Sequence, residues 1–251
     1  MLTLEKIKDH VYFKFRKAQL EGMNKAGGFR AGKLHVSDVI KPCMRYVYYQ
    51  KTNPRSSMTT EDMRPLFFGQ AVHALTQLAK PEYHELTLAY DIVKDEPVDL
   101  NKIRLEDGNP RWYDIVIGTI DDLLRIGDEW VITDKKTTGS IDYFSRYNSR
   151  PSESHVDQIN TYRLLLKKCK DIDAQKGAVI YISSTHSKDK IDKPVVMPFK
   201  LEEISKTIER VKKNAAIIKQ AMTKDTVPER TKCYLCDSMC PHASFCFTDE
   251  R

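Results

Sequence analysis

Gly118-Thr119-Ile120-Asp121 runs through Asp122-Leu123-Leu124-Arg125-Ile126 to Gly127-Asp128. It returns along Glu129-Trp130-Val131-Ile132-Thr133-Asp134-Lys135-Lys136-Thr137, and this stretch decides the fold. Two apolar runs flank Gly127-Asp128, a two-residue hairpin signal of the Gly-X kind. With these two residues at the tip, the partners are set: Ile126 faces Glu129 and, stepping outward, Asp121 faces Asp134. Directly opposed residues hold their Cβ atoms about 5 Å apart. Lys136, two residues past Asp134, emerges on the same face. Two carboxylates at that range repel unless a proton or a cation lies between them, and oxygen donors suit a hard divalent cation. The pattern predicts a hairpin with a cation site; the plainer alternative is a solvated strand end with a surface ion pair.

The 251 residues can bury one full core. A hydrophobic content of 41% with 30% charged residues fits a soluble globular chain. Apolar runs stay well short of the ~20 residues that span a bilayer. Met1-Leu2-Thr3-Leu4-Glu5-Lys6 carries no apolar signal core, so a cytoplasmic, reducing location is expected. The net charge of +6 is modest and compatible with a polyanion partner. Of six cysteines, Cys43 and Cys169 stand alone, whereas Cys233, Cys236, Cys240 and Cys246 crowd the tail. In a reducing compartment such crowding points to metal binding over disulfides.

Outward from the hairpin, the chain reads as helix, strand, hairpin, helix, strand, helix and cysteine-rich tail. Residues 4–19 predict a helix. Gly27-Gly28-Phe29-Arg30-Ala31-Gly32-Lys33-Leu34 nearly matches a phosphate-cradling loop. Leu34 removes the hydroxyl such a loop needs, and no apolar strand precedes it, so a flexible basic loop is expected. Ser37 or Asp38 is expected to cap a short helix ending before Pro42, with Cys43 opening a second. Residues 53–64 read as a loop and 67–78 as a helix with His73 at the border of its apolar stripe. Residues 82–93 read as the first core strand, and 94–111 as charged and turn-rich. Residues 139–152 read as a polar loop whose Tyr143, Arg146, Tyr147 and Arg150 interleave rings and charges. Ser154 to about Lys168 predicts a helix, with Gln158 and Tyr162 on one face. Residues 177–183 predict a buried strand and 201–223 an amphipathic helix with a lysine-rich outer face.

Cys233-x2-Cys236-x3-Cys240-Pro241-x4-Cys246 lets a short loop wrap one soft metal centre. The spacing admits a tetrahedral zinc on the four tail cysteines or an iron–sulfur cluster sharing Cys43.

Taken together, these residues resemble the RecB-like branch of the PD-(D/E)XK nucleases, above all the CRISPR-associated RecB-like exonucleases and their phage, viral and archaeal relatives. His73 in Gly69-x3-His73 resembles that branch's helix histidine. Asp121 in Gly118-x2-Asp121 resembles its first acid, Asp134-Lys135-Lys136-Thr137 its D-x-K-T signature, and Gln158-x3-Tyr162 its Q-x-x-x-Y helix. Cys43 with Arg45 and Tyr48-Tyr49 resembles the upstream cluster cysteine, and the tail its downstream partners. The tail departs from the usual C-x2-C-x5-C, so five cysteines compete for four places.

The resemblance implies an α/β restriction-endonuclease-like core, a mixed central sheet flanked by helices, in a single nuclease domain over 1–251. Residues 34–65 would be a helical segment with the first cluster cysteine, 66–200 the core, and 201–251 the last helix and cluster tail. It implies a Mg²⁺- or Mn²⁺-dependent deoxyribonuclease hydrolysing phosphodiester bonds, an exonuclease on single-stranded DNA ends. Its partners would be DNA and CRISPR-adaptation or repair proteins, with no membrane. His73, Asp121, Asp134 and the carbonyl of Lys135 would hold the metal. Lys136 would position the attacking water, and Gln158 and Tyr162 would orient Lys136 or the phosphate. A [4Fe–4S] cluster would take Cys43, Cys236, Cys240 and Cys246, with Cys233 the alternate and zinc the alternative. A stand-alone viral or repair endonuclease and a silent, metal-stapled nucleic-acid-binding adaptor are the competing readings.

Overall fold

A computed structural model describes residues 32–52, 69, 83–106, 109–146, 150–184 and 193–231, together with Cys233, Cys236, Cys240, His242 and Cys246. The helix expected over 4–19, all of that over 67–78 except Gly69, the loop over 53–64, most of the basic loop before Leu34 and Tyr147 lie outside the described residues.

The chain enters at β1 (Leu34–His35), followed by α1 (Val36–Val39) and α2 (Met44–Thr52). Then come β2 (Tyr83–Asp91), β3 (Glu96–Pro97), a 3-10 turn (Pro110–Asp114) and the hairpin strands β4 (Ile115–Ile126) and β5 (Glu129–Thr138). After β5 come α3 (Ile141–Arg146), α4 (Glu153–Lys170), β6 (Lys176–Ser183), β7 (Val195–Lys200) and α5 (Ile204–Lys224). The strands form one mixed sheet in the order β3-β2-β4-β5-β6-β7, with β1 lying parallel to the start of β4. β5 and β6 are parallel, joined through α3 and α4, and the remaining neighbours are antiparallel.

The hairpin obeys its turn. Ile126 pairs with Glu129 and the register runs without a slip to Asp122 opposite Thr133. Gly127 sits at φ +63°, which the tight turn requires and which glycine adopts without a Cβ clash.

The main core lies on the face covered by α1, α4 and α5. Ile159, Leu165 and Leu166 of α4 meet Ile120, Ile132 and Val179 of the strands there. A smaller cluster of Ala89, Trp112, Ile115 and Ile117 closes under the 94–111 segment.

Four expectations are corrected. The short helix begins at Val36, so Asp38 lies within it; its carboxylate accepts the backbone N–H of His35 at 2.9 Å. The loop expected over 139–152 contains α3, whose Phe144 stacks flat on Tyr181 at 3.8 Å and so gains the burial that a polar composition hides. β7 was not anticipated. It is an edge strand whose outward residues are exposed and which carries Pro198, a residue only an edge tolerates. α5 starts at Ile204, not Leu201, because Leu201 is buried against the sheet end and the backbone is still extended at Glu203.

Candidate active site at the fork of the hairpin

β4 and β5 part where the acids sit. Their ladder ends at Asp122 opposite Thr133, while the other edge of β5 stays paired with β6 as far as Thr138. Asp121 and Asp134 are therefore adjacent across a fork and are not a hydrogen-bonded strand pair, as the hairpin arithmetic alone would have it. The Asp121 carboxylate fills the gap, its Oδ2 accepting the Lys135 backbone N–H at 2.8 Å. A side chain thus replaces the carbonyl that continued pairing would have supplied.

Both acids face α4 because the strand changes phase beside them. Val116 and Ile120 lie in the main core, and so does Leu123, three residues on instead of two. The neighbouring strand distorts at the same level: Leu86 pairs with Ile120 and His84 with Asp122, while Glu85 between them adopts φ +50°. A non-glycine residue in that region inside a strand is a strained conformation of the kind that gathers at functional sites. Without this phase change, Asp121 would point to the opposite face from Tyr162.

The two carboxylates are deeply set, Asp121 at 7% and Asp134 at 1% exposure. Lys136 Nζ stands 2.8 Å from Asp134 Oδ2. Above them, Gln158 Nε2 donates to the Tyr162 hydroxyl at 2.7 Å. Burial pushes the Tyr162 hydroxyl well above its ordinary range; the charges of Asp134, Asp121 and Glu85 add to this, and the Gln158 bond opposes it. Tyr162 therefore stays a protonated donor beside three acids.

The sequence-derived set is thus assembled for Asp121, Asp134, Lys136, Gln158 and Tyr162. His73 lies outside the described residues. Lys135 has a second role that its place in D-x-K-T did not announce. Its ammonium pairs with Asp122 on the opposite face of the hairpin, both side chains 8% exposed. Glu85, Asp122 and His155 were not foreseen. His155 had a signal, since it stands seven residues before Tyr162 on one helix face; Glu85 had none, because nothing in the sequence marks its backbone conformation.

The donor set suits a hard cation: buried carboxylate oxygens with a lysine beside them, and no sulfur. Among the described residues no group of three or more His, Cys, Asp or Glu side chains converges on one metal position. A cation at the fork would find the Asp121 and Asp134 carboxylates there, and the Lys135 backbone beside them.

The cysteines divide. Cys233 and Cys236 come together, sulfur to sulfur at 3.7 Å, with the Cys236 N–H donating to the Cys233 carbonyl at 2.9 Å. Cys43 and Cys246 are buried, Cys240 is half-buried, and Cys169 donates to the Ala89 carbonyl away from the tail. Arg45 joins α2 to the tail by donating to the Pro228 carbonyl at 2.8 Å and toward the Cys246 carbonyl and sulfur at 3.4 and 3.8 Å. The Tyr46 and Tyr49 rings lie 5.3 and 5.9 Å from that of His242.

The family model described as "PD-(D/E)XK nuclease superfamily" matches residues 78–247. The solved structure of SSO0001 superposes with a TM-score of 0.57 at 14% identity, covering 92% of this chain and 96% of that one. An alkaline exonuclease from Laribacter hongkongensis gives 0.45 at 12% identity, covering 79% and 91%. A phage-related exonuclease from Haemophilus somnus 129PT gives 0.38 at 8% identity, covering 78% and 96%. No curated protein matches the sequence. Among the described residues no helix is long and apolar enough to cross a membrane.

Proposed function

The chain belongs to the PD-(D/E)XK nuclease superfamily, and from that premise we propose that it is a Mg²⁺- or Mn²⁺-dependent deoxyribonuclease working as an exonuclease on single-stranded DNA ends. The observation that carries the reading is the buried pair Asp121 and Asp134 at the fork, with Lys136 at 2.8 Å from Asp134.

Asp121, Asp134 and the Lys135 carbonyl would hold the cation, with His73 as a further donor. Bound there, the cation supplies Lewis-acid polarisation of the scissile phosphate. The remaining work falls to the chain. Asp121, by accepting the Lys135 N–H, fixes the backbone that carries Asp134 and Lys136. Lys136 orients the attacking water and offsets the charge that grows on the phosphoryl oxygens. Tyr162, oriented by Gln158, presents a neutral donor to the same cleft. These two act through position, so their loss should reduce cleavage without abolishing it.

A thiolate centre built from Cys43, Cys236, Cys240 and Cys246, with Cys233 competing, completes the reading as a [4Fe–4S] site. Its support is the junction of α2 with the tail through Arg45 and the pairing of Cys233 with Cys236. One feature favours zinc. Two thiolates on one tetrahedral ion, with bonds of about 2.3 Å, stand about 3.8 Å apart, close to the observed 3.7 Å. The support for a role in CRISPR adaptation or in DNA repair is the resemblance of Cys43 and the tail to CRISPR-associated exonucleases.

The test is cleavage of end-labelled single-stranded DNA with Mn²⁺ by the wild type and by Asp134→Ala and Lys136→Ala. Both variants should lose activity by about a thousandfold, the scale of a removed transition-state contact. Undiminished cleavage by both would remove the assignment.

A further inference from the structure

Away from the fork, at the start of β4, the fold leaves a cavity of about 350 Å³ between the end of β2, the 3-10 turn and the middle of α5. Asp114 in its wall and Asp121 at the fork are separated along the start of β4 by roughly 20 Å at a strand's rise per residue. The cavity is therefore no part of the nuclease site. It exists because α5 presents Ala215 and Ala216 to it, where side chains of ordinary size would close the gap at native packing density. Ile92 and Tyr113, each 4% exposed, form the deep wall with Ala215, and Val93, 66% exposed, forms the lip.

Both sides of the cavity are fixed. Asp91, fully buried and paired with Arg111, accepts the N–H groups of Val93 and Lys94 at 3.0 and 2.9 Å. The Ile92 N–H donates to the Asp114 carbonyl at 2.9 Å. On the other side Lys219 holds α5 to the Asp114 carboxylate at 2.7 and 2.8 Å. A guest meets a preformed seat and has no loop to order, which removes one cost of binding.

The rim is basic. Lys212 and Lys219 line the cavity from α5; Lys219 is engaged by Asp114, whereas Lys212 is exposed. Along α5, Lys206, Lys213 and Lys224 are also exposed, and Glu209 is the one acid in the helix. The volume is at the small end for a ligand pocket and suits one large side chain better than a nucleotide. The Asp114 carboxylate in the wall disfavours a phosphate, and the apolar lining disfavours any charge placed inside. An apolar seat with a solvent-facing lysine at its rim is complementary to a ring flanked by carboxylates.

We propose that this cavity docks an acidic segment of a partner protein, with an aromatic side chain seated against Ile92, Tyr113 and Ala215 and the flanking carboxylates meeting Lys212. The experiment uses a fluorescein-labelled peptide of aspartates and glycines with one central tryptophan, whose anisotropy on the full chain gives Kd. The same peptide with serine for tryptophan should bind about tenfold more weakly, the scale of one buried anchor. Ala216→Phe, which fills the cavity from an exposed position, should raise Kd about tenfold. Lys212→Glu should raise it about fivefold, less at high salt. Lys206→Glu, the same charge reversal on α5 outside the cavity, should change Kd less than about twofold. Circular dichroism selects folded variants, with Ala216→Leu as the stand-in. Absence of saturable binding to the wild type, equal binding of the serine peptide, or an unchanged Kd in Ala216→Phe overturns the proposal. So does a loss of affinity for a labelled single-stranded oligonucleotide in EDTA with peptide binding intact, which would make this surface a nucleic-acid contact.

Discussion

Two adjacent lysines show how far a residue's neighbours outweigh its place in a motif. Lys136 stands at the mouth of the fork with 27% of its side chain exposed, paired with Asp134. Lys135 points to the other face and closes on Asp122 where both are 8% exposed. Removing one member of a buried pair leaves an uncompensated charge and costs about 3–5 kcal/mol. Lys135→Ala should therefore lower urea-unfolding stability by that order. Lys136→Ala also strips Asp134 of a partner, but of an ammonium that itself reaches water, so it should cost less stability than Lys135→Ala and lose cleavage as well. Equal stability losses in the two variants would contradict the division. The sequence supplied Asp134 and Lys136 because alternation puts i and i+2 on one face, and it supplied no role for the intervening ammonium because Asp122 had no visible partner. His155 adds a pH effect. Held at about 4 when folded against roughly 6.5 unfolded, it binds its proton more readily in the unfolded chain. Stability from its neutrality is present above pH ~6.5 and is lost as pH falls toward ~4, by about 3 kcal/mol in all. The groups facing it are Lys136, Lys41 and Tyr181. His155→Gln should flatten that part of the stability–pH curve, and an unchanged slope would count against the depressed pKa.

At the scale of elements, two glycines separate packing from backbone freedom. A Cβ on Gly118 would stand 2.7 Å from Val36 Cγ2, 2.8 Å from Leu165 Cδ1 and 3.0 Å from Tyr162 Cε1. Gly118 is where α4 approaches the sheet most tightly against β4, so Gly118→Ala should push α4 outward, cost about 1–3 kcal/mol and displace Tyr162. Gly127 has nothing within 4 Å of such a Cβ but sits at φ +63°. Gly127→Ala should cost about 1 kcal/mol through strain alone and leave cleavage intact. Thermal melts paired with cleavage assays separate the two; a Gly127→Ala that loses activity would mean the turn does more than set register. The hairpin was legible to the residue because a two-residue turn fixes every pair after it, down to Asp122 opposite Thr133. The fork beyond was not, since it depends on β5 keeping its pairing to β6 while β4 bends with β2 at Glu85. α3 and β7 escaped for a related reason: Phe144, half-buried, and Met197, buried, pack on partners distant in sequence, Tyr181 and Val179, which local composition does not reveal.

Over the whole molecule, the two ends of the described chain are tied to each other and to the site. Asn214 of α5 donates to the Val39 carbonyl at 2.7 Å, and Lys219 clasps Asp114 at the entry to β4 at 2.7 and 2.8 Å. The Tyr48 hydroxyl donates to Asp225, which ends α5 in the left-handed region at φ 47°. Arg45 then reaches the tail at Pro228 and Cys246. α1 is therefore held through α2 and α5 by the same contacts that seat Cys246. Closing a loop of that length by a metal converts its binding energy into folding energy. Anaerobically purified wild type should be brown and contain iron and labile sulfide. Cys246→Ala should be colourless and melt several degrees lower, by the order of 2–4 kcal/mol for a lost long-loop crosslink. Cys169→Ala, whose thiol lies away from the tail against Ala89, should keep both colour and iron. A colourless wild type with stoichiometric zinc would keep the staple and replace the cluster. A wild type with neither metal, melting no higher than Cys246→Ala, would leave Arg45 and the α2–α5 contacts as what holds the tail.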